Sequence, residues 1–196
     1  INKLTRLRYL NLSGSRFLRL PDTVCNLELL ETLILNDCEE LNMIPQQIGK
    51  LIKLRHLDLK NTPNLQYFPE GFGRLTALRT LSKFVIASKS SRKGAKIGEL
   101  KELNLLKGHL EISGFKRVKS GSDAMKAELV KKKHLQSICL NFECNPVQNP
   151  EAINIMENVL EALNPFPEMR NNVEVRNYVS SKYPTWIDAS TRFTSN

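Results

Sequence analysis

Three histidines, four cysteines and one tight acidic group are the residues of this chain best equipped for catalysis or metal binding. His56, His109 and His134 could carry protons near neutral pH or ligate zinc. Cys25, Cys38, Cys139 and Cys144 could serve as nucleophiles, disulfide partners or metal ligands. Asp37, Glu39 and Glu40 could hold a cation. Spacing argues against each of these uses. No CxxC pair occurs, and four cysteines in 196 residues do not form a disulfide framework. That predicts reduced thiols in an intracellular setting. The acidic group sits in a turn with no base or metal set beside it. Gly94-Ala95-Lys96 is too short to cradle a phosphate, and no glycine-flanked serine elbow is present. The pattern therefore predicts no enzyme, no cofactor and no metal.

What positions these residues is a repeat. Leucines recur as LxxLxLxx: Leu7, Leu10, Leu12; then Leu30, Leu33, Leu35; then Leu54, Leu57, Leu59. A fourth copy opens with Leu78 and Leu81 and then departs, with Lys83 where the next leucine is due. Pro21, Pro45 and Pro69 follow at intervals of 24, each preceded by an apolar residue and followed three residues later by Val24, Ile48 or Phe72. Registers that share one period of 23–25 residues identify a stacked repeat. The LxL pair alternates with polar residues, so each copy is a short strand with one buried face. Side by side, the strands make a parallel sheet with a continuous leucine spine. The proline segment supplies a non-sheet return on the far side. Ser15, Cys38 and Thr62 fall where the chain bends inward, and Cys38 reads as a buried structural thiol rather than a reactive one.

The fold class expected is α/β: a leucine-rich-repeat solenoid, a curved horseshoe with a parallel concave sheet and irregular or helical convex connections. One domain spans 1–196. Residues 1–82 form regular repeats of 23–25 residues. Residues 83–196 form longer, irregular ones, with strands around Leu110, Ile138 and Val173, the successive spacings from Leu81 to Leu110 to Ile138 to Val173 being 29, 28 and 35. Two helical insertions are predicted, at about 122–133 (capped by Ser122 or Asp123, burying Ala124, Ala127, Leu129 and Val130) and at 150–164 (burying Ile153, Met156, Leu160 and Leu163). Ile1 already occupies a mid-repeat register with no cap before it, so the chain reads as a fragment, a truncated gene product or a section of a longer receptor. No apolar run approaches the length of a membrane span.

Residues that alternate with the spine point to the concave face. The expected columns are Tyr9, Thr32 and His56, continuing through Thr80, His109 and Ser137; Asn11, Ile34 and Asp58, continuing through Ser82, Glu111 and Cys139; and Ser13, Asn36 and Lys60. Their varied chemistry over constant leucines suits a protein-binding surface, with Tyr9, His56 and Asp58 the leading contacts. His56 and His109 fall two strands apart, roughly 10 Å, too far to share a proton or a zinc ion.

Net charge is +9, and it is uneven: 14 basic against 5 acidic side chains over 83–133, but 4 against 7 over 134–196. The excess predicts a basic flank made of Lys89, Arg92, Lys93, Lys96, Lys131, Lys132 and Lys133. Without interleaved aromatics or a reading motif, nucleic acid is a weak partner, an intramolecular partner or lipid headgroups compete with it at similar weight, and a solvated flank is the stronger reading.

The runs LRYLNLSGSRFLRLPDTVCNLELLETLILNDC, TLSKFVI, KGHLEISGF, KKHLQSICLNF, VLEALNPFPEM and YPTWI resemble the leucine-rich-repeat region of plant coiled-coil nucleotide-binding disease-resistance proteins of the RGA-like group. The likeness covers nearly the whole chain. It departs at Arg170-Asn171-Asn172-Val173, one residue longer than the pattern, and at Val179-Ser180-Ser181, where glycines are usual. The family's phosphate-binding loop is absent from this sequence. The resemblance implies a non-catalytic recognition module of an intracellular immune receptor. It would sense a pathogen effector or a guarded host protein, or restrain the receptor's own nucleotide-binding domain. A cytoplasmic location follows, with nuclear or peripheral membrane association as alternatives. A generic leucine-rich-repeat adaptor is the competing function.

Overall fold

A computed structural model describes residues 4–87, 93–142, 149–187 and 190–194. The strands are β1 (Tyr9–Asn11), β2 (Thr32–Ile34), β3 (His56–Asp58), β4 (Thr80–Leu81), β5 (Lys83–Val85), β6 (Gly108–Ser113), β7 (Leu135–Asn141), β8 (Val173–Arg176) and β9 (Arg192–Thr194). Among the described residues there are two α-helices, α1 (Gly121–Met125) and α2 (Pro150–Leu163). Every strand pairs in parallel with its sequence neighbour, except across one break, so β1 to β4 form one sheet and β5 to β9 a second. Sequential parallel pairing of short strands is the solenoid that the leucine spacing requires.

Leu30, Leu33, Leu35, Leu54, Leu57 and Leu59 are fully buried beneath β2 and β3. Leu7, Leu10 and Leu12, under β1, are only half-buried. Short 3-10 turns make the convex returns at Asp22–Asn26, Ile48–Lys50 and Phe72–Arg74, each seating its buried Val24, Ile48 or Phe72. In the first two, a proline carbonyl accepts the bond that starts the turn: Val24 N–H to Pro21 at 3.0 Å and Ile48 N–H to Pro45 at 3.1 Å. The post-strand turn repeats a left-handed residue at Gly14, Asp37 and Asn61, whose types tolerate positive φ. Below that turn, the Cys38 thiol donates to the Leu12 carbonyl of the preceding repeat at 3.2 Å. Thr62 Oγ1 donates to Leu59 at 2.7 Å. Both side chains are buried, so each polar group is satisfied where water cannot reach.

The break between the sheets has a local cause. Leu81 is buried, Ser82 and Lys83 are both half-buried, and burial resumes at Phe84. One extra residue thus separates the two spine positions. Phe84, not residue 83, continues the spine, pairing with Ile112. Its ring stacks on Phe68 at 5.2 Å and meets Phe72 at 5.8 Å, filling the core where the leucine pattern lapses.

The helix expected over 122–133 is a single turn, Gly121–Met125, capped by Ser120, whose hydroxyl accepts the Asp123 amide at 3.2 Å. Glu128 then takes a left-handed φ of 48°, which ends any helix, and a 3-10 turn follows at Leu129–Lys131. Val130 is exposed rather than buried. α2 begins on Pro150 with Asn149 as its cap and buries Val159, Leu160 and Leu163. α1 packs closely on α2: a Cβ at Gly121 would stand 2.9 Å from the Asn158 carbonyl oxygen. The tail is pinned to the same helix by buried Trp186, whose indole N–H donates to the carbonyls of Leu160 and Glu161, both at 3.1 Å.

Candidate functional site

Register, not sequence proximity, assembles the concave surface. Tyr9 lies beside Thr32, and Thr32 beside His56. Asn11 lies beside Ile34, and Ile34 beside Asp58. Tyr9 is 55% exposed, a large aromatic ring presented to solvent from β1. Thr32, Ile34, His56 and Asp58 are half-buried. The polar side chains are tied laterally. His56 Nδ1 shares a 2.9 Å hydrogen bond with Thr80 Oγ1 on the adjacent strand. Asn36 donates to Asp58 Oδ2 at 3.0 Å and accepts the Lys60 amide at 2.9 Å. Lys60 Nζ stands 3.8 Å from the same carboxylate. Asn11 turns back on its own strand, accepting from the Ser13 amide and hydroxyl at 2.9 and 2.7 Å. Asp58 Oδ1 is enclosed and has no hydrogen-bond partner among the described residues.

The expected columns do not run unbroken to the C-terminal half. Lys83, not Ser82, pairs with Glu111, because of the extra residue at the sheet break. His109 and Glu111 therefore sit on the second sheet, and His56 and Thr80 on the first. His109 bonds Ser137 Oγ at 2.9 Å, the partner that its column predicts. Cys139 shares Glu111's register, but it is fully buried and so offers no surface contact.

Arg176 and Glu174, which sequence reasoning missed, organise this second half. Arg176 Nε and Nη2 donate to the two Glu174 oxygens, each at 2.9 Å, and Nη1 stands 4.0 Å from Glu111. The pairing holds the Glu174 carboxyl below its ordinary range and Arg176 above its own. Their signal, alternation in Val173-Glu174-Val175-Arg176, was legible as a strand but not as a pair. Two shallow hollows flank His109. One, of about 590 Å³, is lined by Ser137, Glu174 and Arg192. The other, of about 540 Å³, lies at the sheet break and is lined by Lys60, Ser82, Lys83 and Glu111.

One member of the expected basic flank, Lys132, does not face solvent. Lys89 and Arg92 lie outside the described residues. Lys132 is buried, at 1% exposure, and its ammonium donates to the Lys101 carbonyl at 2.8 Å and to Asn104 Oδ1 at 2.7 Å. Burial brings its pKa down to about 8. Lys131 is paired with Glu128 at 2.6 Å, and Lys101 with the same carboxylate at 3.6 Å. Lys93, Lys96 and Lys133 are exposed.

Among the described residues, no group of three or more His, Cys, Asp or Glu side chains could hold a metal ion. Burial pushes the Cys25 thiol up to about 11 and Cys139 up to about 12, so both are protonated at neutral pH. No described helix is long and apolar enough to cross a membrane.

The family model for a leucine-rich repeat region matches residues 1–194. The putative disease resistance protein RGA4 of Solanum bulbocastanum is 39% identical over 213 residues, covering 97% of this chain. Disease resistance protein RGA2 of the same species is 37% identical over 216 residues, also covering 97% of it. The putative disease resistance protein At3g14460 of Arabidopsis thaliana is 36% identical over 195 residues, again with 97% coverage. The chain spans 21% of the length of each of these two Solanum relatives and 13% of the Arabidopsis one. A leucine-rich-repeat protein of Leptospira interrogans, LIC12759, matches 99% of this chain and 67% of its own at 18% identity and a TM-score of 0.25.

Proposed function

The chain belongs to the leucine-rich repeat region family, and from that premise we propose that it is the protein-recognition module of a plant intracellular immune receptor. Its role is non-catalytic: it binds a pathogen effector or a host protein, or restrains the receptor's own nucleotide-binding domain. The similarity to disease resistance proteins over 97% of the chain supports the biological setting.

The observation that carries the reading is the register of β1 to β3. Leu10, Leu33 and Leu57 pair strand to strand beneath the sheet, while Tyr9, Thr32 and His56 pair strand to strand above it. A surface of three different side chains over an invariant spine can change its partner without changing its fold. Tyr9 contributes exposed aromatic area, the kind of anchor that dominates protein interfaces. The hydrogen bonds from His56 to Thr80 and from Asn36 to Asp58 hold neighbouring polar groups in place before a partner arrives.

The test is an interaction screen of the chain against effector proteins and nucleotide-binding domains, followed by titration of the partner found. Joint substitution of Tyr9, His56 and Asp58 by alanine is expected to weaken that partner about tenfold or more while thermal unfolding stays cooperative. Unchanged affinity would remove this face from the function.

A further inference from the structure

Stacking the repeats creates a charged row that the sequence scatters. Arg8, Glu31, Arg55, Arg79 and Lys107 each stand immediately before a strand or within one residue of it. Their backbones form one ladder: the Glu31 amide donates to Arg8, Arg55 to Glu31, Arg79 to Arg55, and Lys107 to Arg79, at 2.7 to 2.8 Å. The side chains therefore follow one another along a lip of the sheet at about the 4.8 Å strand spacing. The first three confirm it by contact, with Glu31 bridging Arg8 at 3.2 Å and Arg55 at 3.7 Å. Arg79 and Lys107 are exposed and, among the described residues, have no carboxylate within 4.0 Å. This row crosses the sheet break, so it links the two halves of the concave surface.

We infer that the Arg79–Lys107 lip is a docking point for an acidic segment of a protein partner, with Arg55 at its margin. The inference rests on the reading of the adjoining concave face as a protein-binding surface, and it names the chemistry of what binds at the edge of that face. Two like charges held at strand spacing repel each other, and carboxylates arriving between them relieve that repulsion. Exposed Ile52 and Leu105, in the turns leading to Arg55 and Lys107, add apolar contact that a protein uses and a phosphodiester chain does not. Glu31 interrupts the row, which also disfavours a continuous polyanion.

The test measures binding of a labelled oligoglutamate peptide to the full chain by anisotropy across a salt series. The double variant Arg79→Glu/Lys107→Glu is expected to bind about five- to tenfold more weakly and to lose most of its salt dependence. The control Lys116→Glu/Lys119→Glu, with the same net charge, is expected to keep wild-type affinity. Failure of the concave-face reading is read separately, from the partner titration of the Tyr9, His56 and Asp58 variant, while failure of the lip is read from the peptide titration. Equal losses in the lip and control variants would overturn the proposal. So would tighter lip-dependent binding of single-stranded DNA or of phosphatidylserine vesicles than of the peptide. If charge reversal disturbs folding, Arg79→Gln/Lys107→Gln serves instead, and undiminished binding there also overturns it.

Discussion

The Ser82 hydroxyl accepts the backbone amide of Leu59 at 2.7 Å. In the two preceding crossings the same bond ends on a carbonyl: Leu12 donates to Ile34 at 2.9 Å, and Leu35 to Asp58 at 2.8 Å. At the third crossing the extra residue displaces the Ser82 carbonyl, which accepts from Glu111 at 3.0 Å instead. A side chain thus stands in for a backbone group, and the solenoid tolerates the change of register without leaving a buried amide unpaired.

Ser82→Ala is expected to destabilise the chain by about 1–3 kcal/mol, since the Leu59 amide would lose its acceptor in a half-buried site. Ser82→Thr, which retains the hydroxyl, is expected to recover most of the loss. Urea unfolding of the three proteins checks both statements; a neutral alanine variant would show that the bond contributes nothing.

Burial grades the spine. Leu33 is fully buried and Leu10 only half-buried, although both hold the same repeat position. Leu33→Asp places an unpaired charge in the core and is expected to abolish cooperative unfolding or to lower stability by about 4 kcal/mol or more. Leu10→Asp keeps access to water and is expected to cost about half as much or less. Equal losses, read by thermal melts, would contradict the assigned register.

Lys132 predicts a pH dependence. Its pKa is about 8 in the folded chain against an ordinary 10.5. Between those values the unfolded chain holds more protons than the folded one, so this residue's contribution to stability rises with pH. Below about pH 8 the penalty for burying the charge is fully present, and above 10.5 it is gone. Comparing wild type with Lys132→Met cancels the other titrating groups. The stability difference is expected to shift towards wild type as pH is raised through this window. A difference that stays flat would refute the assignment.

Cys25, Cys38 and Cys139 are buried and free. In a Cys144→Ser background, which removes the thiol outside the described residues, these three are expected to ignore a disulfide reagent until denaturant is added. Rapid labelling of the native protein would show that the repeats open locally far more than their packing implies. The raised Cys25 and Cys139 values act in the opposite direction to Lys132. From about pH 9 upward the unfolded thiols ionise before the folded ones, and stability falls.

The strands of the first three repeats were readable because alternation and a fixed period are local properties of the chain. Hydrogen-bond partners within a column, such as His109 with Ser137, were readable for the same reason. Reading failed where one residue changed the geometry. Lys83 marked a departure from the leucine pattern, but the shift of Glu111's partner from Ser82 to Lys83 depends on how the chain bulges, which composition does not encode. The lysine run at 131–133 looked like a surface flank. Its middle member turns inward because Lys132 occupies the apolar register that Leu27, Leu51, Leu75 and Leu103 hold in earlier repeats. The helix over 122–133 stopped early for a conformational reason, the left-handed Glu128.

By itself the sequence determined the spine, the parallel stacking and the side chains that face outward from β1, β2 and β3. These follow from a period that lets short strands, each with one buried face, stack side by side. Only the tertiary structure decided which charges meet. Arg8, Glu31, Arg55, Arg79 and Lys107 are 23 to 28 residues apart in the chain and consecutive along the backbone ladder. Stacking turns that separation into neighbouring strands, and with it a set of isolated charges into a surface.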